Sequence, residues 1–485
     1  MTAKSAAAPR KIVIDPVTRV EGHGRVTLQL DERNRVQQAR LHIIEFRGFE
    51  RFILGRPYWE VPVLVQRLCG ICPVSHHLAA AKAMDVIVGA PVLTPTAEKM
   101  RRLMHYGQFF QSHALHFFHL CSPDLLFGFD ADPALRNVVA VAKDSRYREL
   151  AVHGVLMRKF GQEIIKATAG KKIHGTGALP GGVNKNLSVA ERDGFLKDIE
   201  QMVAWTEGAL ALAKDYTLAH LDTLKDFGSF RSNHLSLIRA DGAMDIYHGG
   251  LRAITADGKT LLDHLDYQDY DDYIAEEVRP WSYMKFPFIK SLGPAEGWYR
   301  VGPLARINTA DFIDTPKADA ALKAFRAATG GRTCNISMAY HWARLIETLH
   351  AIEKIRDLLH DKDLQGSDLM TKGERREEGV GLIEAPRGTL FHHYRVNADD
   401  QVTMCNLIVS TTNNNEPMNR AVQGVAQEYL SGKPEITEGL LNHIEVVIRA
   451  YDPCLSCATH AMGRMPLIVE LFDCRGERLE RRVRE

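Results

Sequence analysis

The chain has 485 residues, 45% of them hydrophobic and 25% charged, with a formal net charge of +1. Those values suit one large enzyme subunit or two or three ordinary domains, and they exclude a disordered chain or a fibrous repeat. A balanced charge gives no electrostatic case for nucleic acid; "MTAKSAAAPRKIVID" holds no continuous apolar run of signal-peptide type and no later run is long enough to cross a bilayer, so the expectation is a cytoplasmic protein with neither nucleic-acid nor membrane partner.

From Lys11 to Phe46, alternating and β-branched stretches ("KIVID", "GRVTLQL", "RVQQARLHIIEF") broken by the turn-like "DERN" predict a small antiparallel sheet. "VPVLVQRLCGICPVSHHLAAAKAMD" reads as helical on both sides of its cysteines. "TPTAEKMRRLMHYGQFFQSHALHFFHL" opens with a Thr-Pro helix start and keeps apolar residues at helical spacing, as does "AERDGFLKDIEQMVAWTEGALALA". From about Ser229 to Pro303, Gly, Asp and aromatics without a helical period predict short strands and loops. Helical patterning returns in "DAALKAFRAAT" and "MAYHWARLIETLHAIEKIRDLLH", and "GTLFHHYRVNADDQVTMCNLIV" predicts a hairpin around Asn-Ala-Asp-Asp. Thr437 then caps a helix with Leu440, Leu441, Ile444, Val447 and Ile448 on one face, which leads into a second cysteine pair. With no internal repeat, low-complexity linker or composition break, the expected fold is α+β, mainly α: a helical core with small antiparallel β excursions.

Of eight cysteines, Cys69, Cys72, Cys121, Cys334, Cys405, Cys454, Cys457 and Cys474, only Cys69/Cys72 and Cys454/Cys457 pair at short spacing, both as Cys-x-x-Cys. In a reducing cytoplasm that spacing speaks for metal or redox chemistry and against a disulfide framework. Four thiolates complete a tetrahedral set for zinc or a soft transition metal. Roughly 380 residues separate the pairs, and since closure entropy grows only logarithmically, a loop so long costs a few kcal/mol more than a short one. On spacing alone, a structural zinc site, a catalytic metal centre and separate redox pairs all stand. Helical flanks weigh against a thioredoxin-like redox motif, and Arg67, His76 and Asp452 beside the cysteines are groups that a closed zinc knuckle does not require.

Six segments, "DPVTRVEGHGR" (Asp15 to Arg25), "RGFE" (Arg47 to Glu50), "RLCGICPVSHH" (Arg67 to His77), "LPGGV" (Leu179 to Val183), "EAPRG" (Glu384 to Gly388) and "DPCLSCATH" (Asp452 to His460), resemble in order the motifs of nickel–iron hydrogenase large subunits. The ending "DPCLSCATHAMGRMPL" is most similar to the soluble, bidirectional hydrogenases coupled to NAD. The resemblance implies Cys69 and Cys454 as terminal nickel ligands, and Cys72 and Cys457 as bridges to an iron carrying two cyanides and one carbon monoxide. With both metals divalent such a cluster carries about −2, which calls for nearby cations. Arg387 is implied above the open position, His76 beside a bridging sulfur and Thr411 as a donor to cyanide. Glu21 is implied as the first proton-relay carboxylate after the Cys454 thiolate, and Asp452 as an orienting group, with helix-end capping as its plainer role. Glu50, the Leu407 carbonyl and His460 correspond to a magnesium site, for which oxygen ligands are apt.

The implied reaction is reversible heterolytic oxidation of dihydrogen to protons and electrons, which pass through a small iron–sulfur subunit to a flavin diaphorase that reduces NAD+. The iron–sulfur clusters, FMN and NAD belong to those partners: "GHG" at Gly22 to Gly24 lacks a dinucleotide-binding frame, and Cys121, Cys334 and Cys405 read as small buried hydrophobes. His105, His113, His116 and His119 share one helix without facing one point, and read as buried, hydrogen-bonded side chains. Residues 1–460 are expected to form one catalytic domain, with its N-terminal β region at about 11–46. Residues 461–485 are expected to be an extension removed after His460 by a maturation endopeptidase once insertion factors have delivered nickel. Two features depart from membrane-linked relatives: Ser112 stands where they carry an acidic residue, and "VSTTNN" replaces a version with proline and tryptophan. The competing reading is a structural or interaction protein that binds zinc, with no diatomic ligands and an intact tail.

Overall fold

The computed structural model describes residues 11–460, 467–475 and 477–484. Strands Lys11–Ile14, Gly24–Leu30 and Val36–Ile43 form an antiparallel sheet in chain order. Asp31 shapes its tight turn by accepting from the amides of Arg33 and Arg35. One face of the sheet is buried by Val26, Leu28, Leu30, Leu41 and Ile43, the outcome of period-two alternation.

Helix Pro95–Leu115, capped by Thr94 Oγ1 on the Ala97 amide, runs through the core against Arg148–Ala169 and Tyr340–Leu359. Contact with Arg148–Ala169 is close because glycine faces glycine: a Cβ on Gly161 would meet the Gly107 carbonyl at 2.7 Å. Val189–Ala219 starts in a full capping box of Ser188 and Glu191 and packs on Tyr340–Leu359. The chain between Val189–Ala219 and Tyr340–Leu359 forms a four-stranded sheet in the order Tyr299–Arg300, Asn233–Ile238, Gly250–Ile254, Thr260–Leu265. Its Tyr299–Asn233 pairing is parallel, a departure from the all-antiparallel expectation; a long excursion separates those two strands, which leaves the chain free to return in either direction.

The arrangement that positions the site is a helix lying on a meander. Strands Glu378–Ala385, Gly388–Val396 and Val402–Ile408 pair antiparallel, and Pro386 and Arg387 form the tight turn between the first two. Helix Pro73–Ile87 lies across the first strand, where Gly379 and Gly381 let its backbone descend: Cβ atoms there would meet the Ala83 and Ala79 carbonyls at 2.3 and 2.0 Å. The helix that begins behind Cys72 is thereby seated against the turn that carries Arg387.

After helix Glu438–Ala450, capped by Thr437, the chain reaches the second cysteine pair. Strands Leu467–Phe472 and Arg478–Arg484 form an antiparallel hairpin with Cys474 exposed at its turn. The expected processing junction borders residues 461–466, which lie outside the described residues. No helix among the described residues is long and apolar enough to cross a membrane.

Candidate metal centre

Each cysteine pair sits on a loop held by its backbone. The chain before Cys69 winds tightly through Val65–Leu68 and straightens at Cys69, and Pro73 opens the next helix at a position where no amide is needed. Cys69 Sγ accepts from the amides of Ile71 and Cys72, both at 3.2 Å, while Gln108 and Gln111 hold the Ile71 carbonyl at 2.9 Å each. On the other side Asp452 takes a left-handed turn, φ 51°, and the Cys454 amide donates to Thr411 Oγ1 at 2.9 Å.

These loops bring the four sulfurs together from opposite ends of the chain. Cys69 and Cys454 lie 3.2 Å apart, Cys454 and Cys457 2.7 Å, Cys72 and Cys457 3.8 Å, and Cys72 and Cys454 3.9 Å. All are free and buried. Burial pushes the Cys454 and Cys457 thiols well up from their usual range; burial also acts against Cys69, but its thiol neighbours and Arg387 pull that group well down. Binding of a cationic metal would favour the thiolate form of all four. Four converging soft donors fit a nickel–iron pair.

A small cavity opens above Cys72 and Cys454, walled by Pro386, Leu390 and Val409 and carrying the polar groups of Ser75, Arg387 and Thr411. Ser75 Oγ is buried without a partner, and Thr411 accepts from Cys454 with its own hydroxyl proton to spare. Unspent donors in an apolar wall suit small ligands with nitrogen or oxygen acceptors. Arg387 is aimed by Asp452, whose carbonyl accepts from Nε at 2.6 Å and whose Oδ1 accepts from Nη2 at 3.0 Å; Nη1 reaches Ser112 Oγ at 3.4 Å. Burial opposes the Arg387 charge, yet Asp452 and the sulfurs hold it firmly protonated.

Glu21 meets the site from the N-terminal sheet. Its backbone bridges Cys454 and accepts from the Leu455 amide, and Oε2 lies 2.9 Å from Cys454 Sγ. Burial and the Cys69 charge raise its pKa, countered by the Cys454 and Ser456 hydrogen bonds. Ser456 Oγ lies 2.6 Å from Glu21 Oε1 and 3.2 Å from Glu45 Oε2, and the Glu45 side chain is 35% exposed. A continuous polar chain thus links the thiol to the surface. Ser456 and Glu45 carry no signal in the sequence, since a serine between two cysteines and a glutamate just past a strand are ordinary.

Glu50 and His460 flank a second polar cluster. Lys285 Nζ lies within it, 2.9 Å from Glu50 Oε1, 3.2 Å from Glu276 Oε2 and 3.1 Å from Asn406 Oδ1. Leu407 contacts Glu50 through its amide, 2.9 Å from Oε1. Met284 pairs with Thr459, which brings Lys285 beside the C-terminal motif. His460 is held neutral by burial and by Lys285, its pKa pushed down to about 3; Nε2 donates to the Cys457 carbonyl, and Nδ1 is buried without a partner, as is Glu276 Oε1. The two idle acceptors are of a kind that a cation takes, but Lys285 already supplies a positive charge to these carboxylates and opposes a second one, as Arg344 does at His341.

His76 is buried on the first turn after Cys72, with Nδ1 3.1 Å from His392 Nε2, so any bond to sulfur falls to its own Nε2. Three of the other helix histidines are buried with structural partners, His105 with the Glu384 carbonyl, His113 with Glu347 and His116 with the Arg449 carbonyl; His119 departs from that expectation, being half-buried with Nδ1 unpartnered. His116, Cys121 and His341 do bring three ligand atoms together, but the Arg344 guanidinium contacts His341 and opposes a cation there. Cys334 and Cys121 are buried, while Cys405 is only partly so. Sequence reasoning passed over His174, whose Nε2 meets the Cys69 carbonyl at 3.0 Å on the outer side of the cluster.

A family model described as nickel-dependent hydrogenase matches residues 47–143 and 224–460, and one described as HoxL-like matches residues 11–46. The NAD-reducing hydrogenase HoxS subunit beta of Cupriavidus necator is 50% identical, over 98% of this chain and 100% of its own length. A relative from the F420-non-reducing hydrogenase of Methanothermobacter thermautotrophicus is 41% identical, over 97% of this chain and 99% of its own. A crystal structure of an NAD+-reducing NiFe hydrogenase in the H2-reduced state superposes with a TM-score of 0.91 at 57% identity, covering 94% of this chain and 100% of that one. The nickel–iron–selenium hydrogenase of Desulfomicrobium baculatum shares the fold, with a TM-score of 0.74 at 24% identity, covering 93% of this chain and 100% of that one.

Proposed function

The chain belongs to the nickel-dependent hydrogenase family, and from that premise we propose that it is the large, catalytic subunit of an NAD-reducing hydrogenase, oxidising H2 reversibly. The observation that carries this reading is the meeting of four buried sulfurs beneath a cavity capped by Arg387. When bound, a nickel–iron pair supplies the electrophilic, redox-active position at which H2 is split and two electrons are taken up.

The side chains do the remaining work. Cys69, Cys72, Cys454 and Cys457 hold the metals, and Arg387 offsets the negative charge of so many thiolates. Cyanide and carbon monoxide on the iron are part of the reading, supported by the free Ser75 hydroxyl, the Thr411 hydroxyl and the apolar wall. Cys454 Sγ accepts a proton and passes it over 2.9 Å to Glu21 Oε2; a carboxyl whose pKa is raised by burial can hold that proton briefly and release it. From Glu21 the proton reaches Ser456 Oγ, whose hydroxyl relays it to Glu45 at the surface. Electrons leave through a small iron–sulfur subunit to flavin-bearing diaphorase subunits that reduce NAD+, in keeping with the HoxS relative. A magnesium ion at Glu50, Leu407 and His460 is supported by the idle Glu276 Oε1 and His460 Nδ1. A reducing cytoplasm is the compartment this reading requires, and eight free cysteines accord with it. Removal of the tail after His460 by an endopeptidase belongs to the same reading.

Metal analysis together with infrared spectroscopy of the purified holoenzyme tests it. Nickel, iron and sharp cyanide and carbon monoxide bands are expected, with H2-dependent NAD+ reduction by the assembled complex; stoichiometric zinc without such bands would return the chain to the structural reading.

A further inference from the structure

Arg306 does not line the cavity over the cysteines, yet it is fully buried and each of its five N–H groups is engaged. Nε and Nη2 fork onto the two oxygens of Glu347, both at 2.6 Å. Nη1 donates to Glu384 Oε2 at 2.7 Å and to the Ala385 carbonyl at 2.9 Å, and Nη2 gives its other proton to the Pro386 carbonyl at 3.1 Å. Those two carbonyls belong to the residues directly before Arg387. Glu384 extends the grip across the turn, because its Oε1 accepts from Thr389 Oγ1 at 2.7 Å on the far strand and from the Leu237 amide at 2.9 Å. A buried ion pair is a poor device for stability, since desolvation consumes most of the attraction. A planar fork that anchors two donors on the Glu347 carboxylate and spends the other three on Glu384, Ala385 and Pro386 does something different: it fixes the direction of one short turn.

We propose that Arg306 is a positioning residue for Arg387, its guanidinium clamping the Ala385 and Pro386 carbonyls so that the neighbouring guanidinium points over the cysteines. The proposal rests on the hydrogenase reading and names how that site is aimed. Arg306 acts through Arg387 alone, and therefore its contribution vanishes when Arg387 can no longer use its direction.

The test compares Arg306→Lys, Arg387→Lys and the double variant as holoenzymes. Arg306→Lys is expected to lower kcat about 10-fold with less than about a 2-fold change in KM for H2, to shift the cyanide bands, and to speed hydrogen exchange in residues 385–392. In the Arg387→Lys background the same change should cost less than about 3-fold. Multiplicative losses in the double variant, or lost activity with unmoved bands and exchange, would overturn the clamp. Should Arg306→Lys not fold, Thr389→Val removes one tie of Glu384 and is expected to give the same band shift with about a 3-fold loss; no shift there also overturns it. Absence of diatomic bands in the unaltered protein would sink the hydrogenase reading instead, and the exchange comparison would still report on the clamp.

Discussion

Glu21 and Cys454 meet twice: their backbones pair in a parallel bridge, and Cys454 Sγ lies 2.9 Å from Glu21 Oε2. The carboxylate is therefore positioned by the chain itself, independently of what the side chain bonds. Glu21→Gln keeps the backbone bridge and the size of the side chain but cannot carry a proton. H2-dependent NAD+ reduction is expected to fall at least about 100-fold, while nickel content and the infrared bands stay as they were. Activity within a few-fold of normal would remove Glu21 from the proton route.

The exit beyond Glu21 gives a graded expectation. Ser456→Ala deletes the hydroxyl that touches both Glu21 and Glu45, but water can replace a hydroxyl at a site this close to the surface. A loss of about 10-fold, with an increased solvent isotope effect, is expected. An isotope effect equal to that of the unaltered enzyme would mean that protons leave by another path.

Cys454→Ser tests the metal centre directly. Serine is a hard, weakly acidic donor, and it also removes the proton acceptor beside Glu21. Hydrogen-dependent NAD+ reduction should be abolished and nickel content should fall below stoichiometric. Because metal bound to the folded state adds to its stability, the variant should also unfold at a lower temperature than the holoenzyme. Full activity would count decisively against Cys454 as a terminal ligand.

How much of this was legible beforehand depends on distance along the chain. Local signals were clear: Thr94 and Thr437 start their helices, and the Asn-Ala-Asp-Asp turn joins the strand that ends at Val396 to the one that begins at Val402. The ligand cysteines were legible because Cys-x-x-Cys is rare and occurs twice. Partners joined only by folding were not: Lys285 reaches Glu50 across 235 positions, and Arg306 reaches Glu384 across 78. Neither lysine nor arginine carries a periodic or motif signal that would mark it.

The seat of helix Pro73–Ile87 makes a stability prediction. Gly381→Ala drives a Cβ into the Ala79 carbonyl, 2.0 Å away. Backbone cannot give way as a flexible side chain does, so a loss of about 3 kcal/mol is expected, along with reduced nickel loading as Cys72 is pushed from the Arg387 turn. Gly208→Ala, on an exposed helical position with open space around it, is the control and should stabilise by about 0.5–1 kcal/mol. Equal denaturation midpoints for the two variants would refute the close-contact account.

The last prediction concerns the end of the chain. His460 is only 3% exposed and its ring is tied to the Cys457 carbonyl, whereas Leu471 and Leu479 in the following hairpin are 54% and 63% exposed. A buried His460 followed by exposed Leu471 and Leu479 is what an extension outside the core would show. Protein isolated from nickel-replete cells is expected to end at His460, lacking all of residues 461–485, and protein from nickel-starved cells to keep them; intact mass distinguishes the two. Fully active, nickel-loaded protein that still carries Glu485 would overturn the expectation and assign the hairpin a place in the working enzyme.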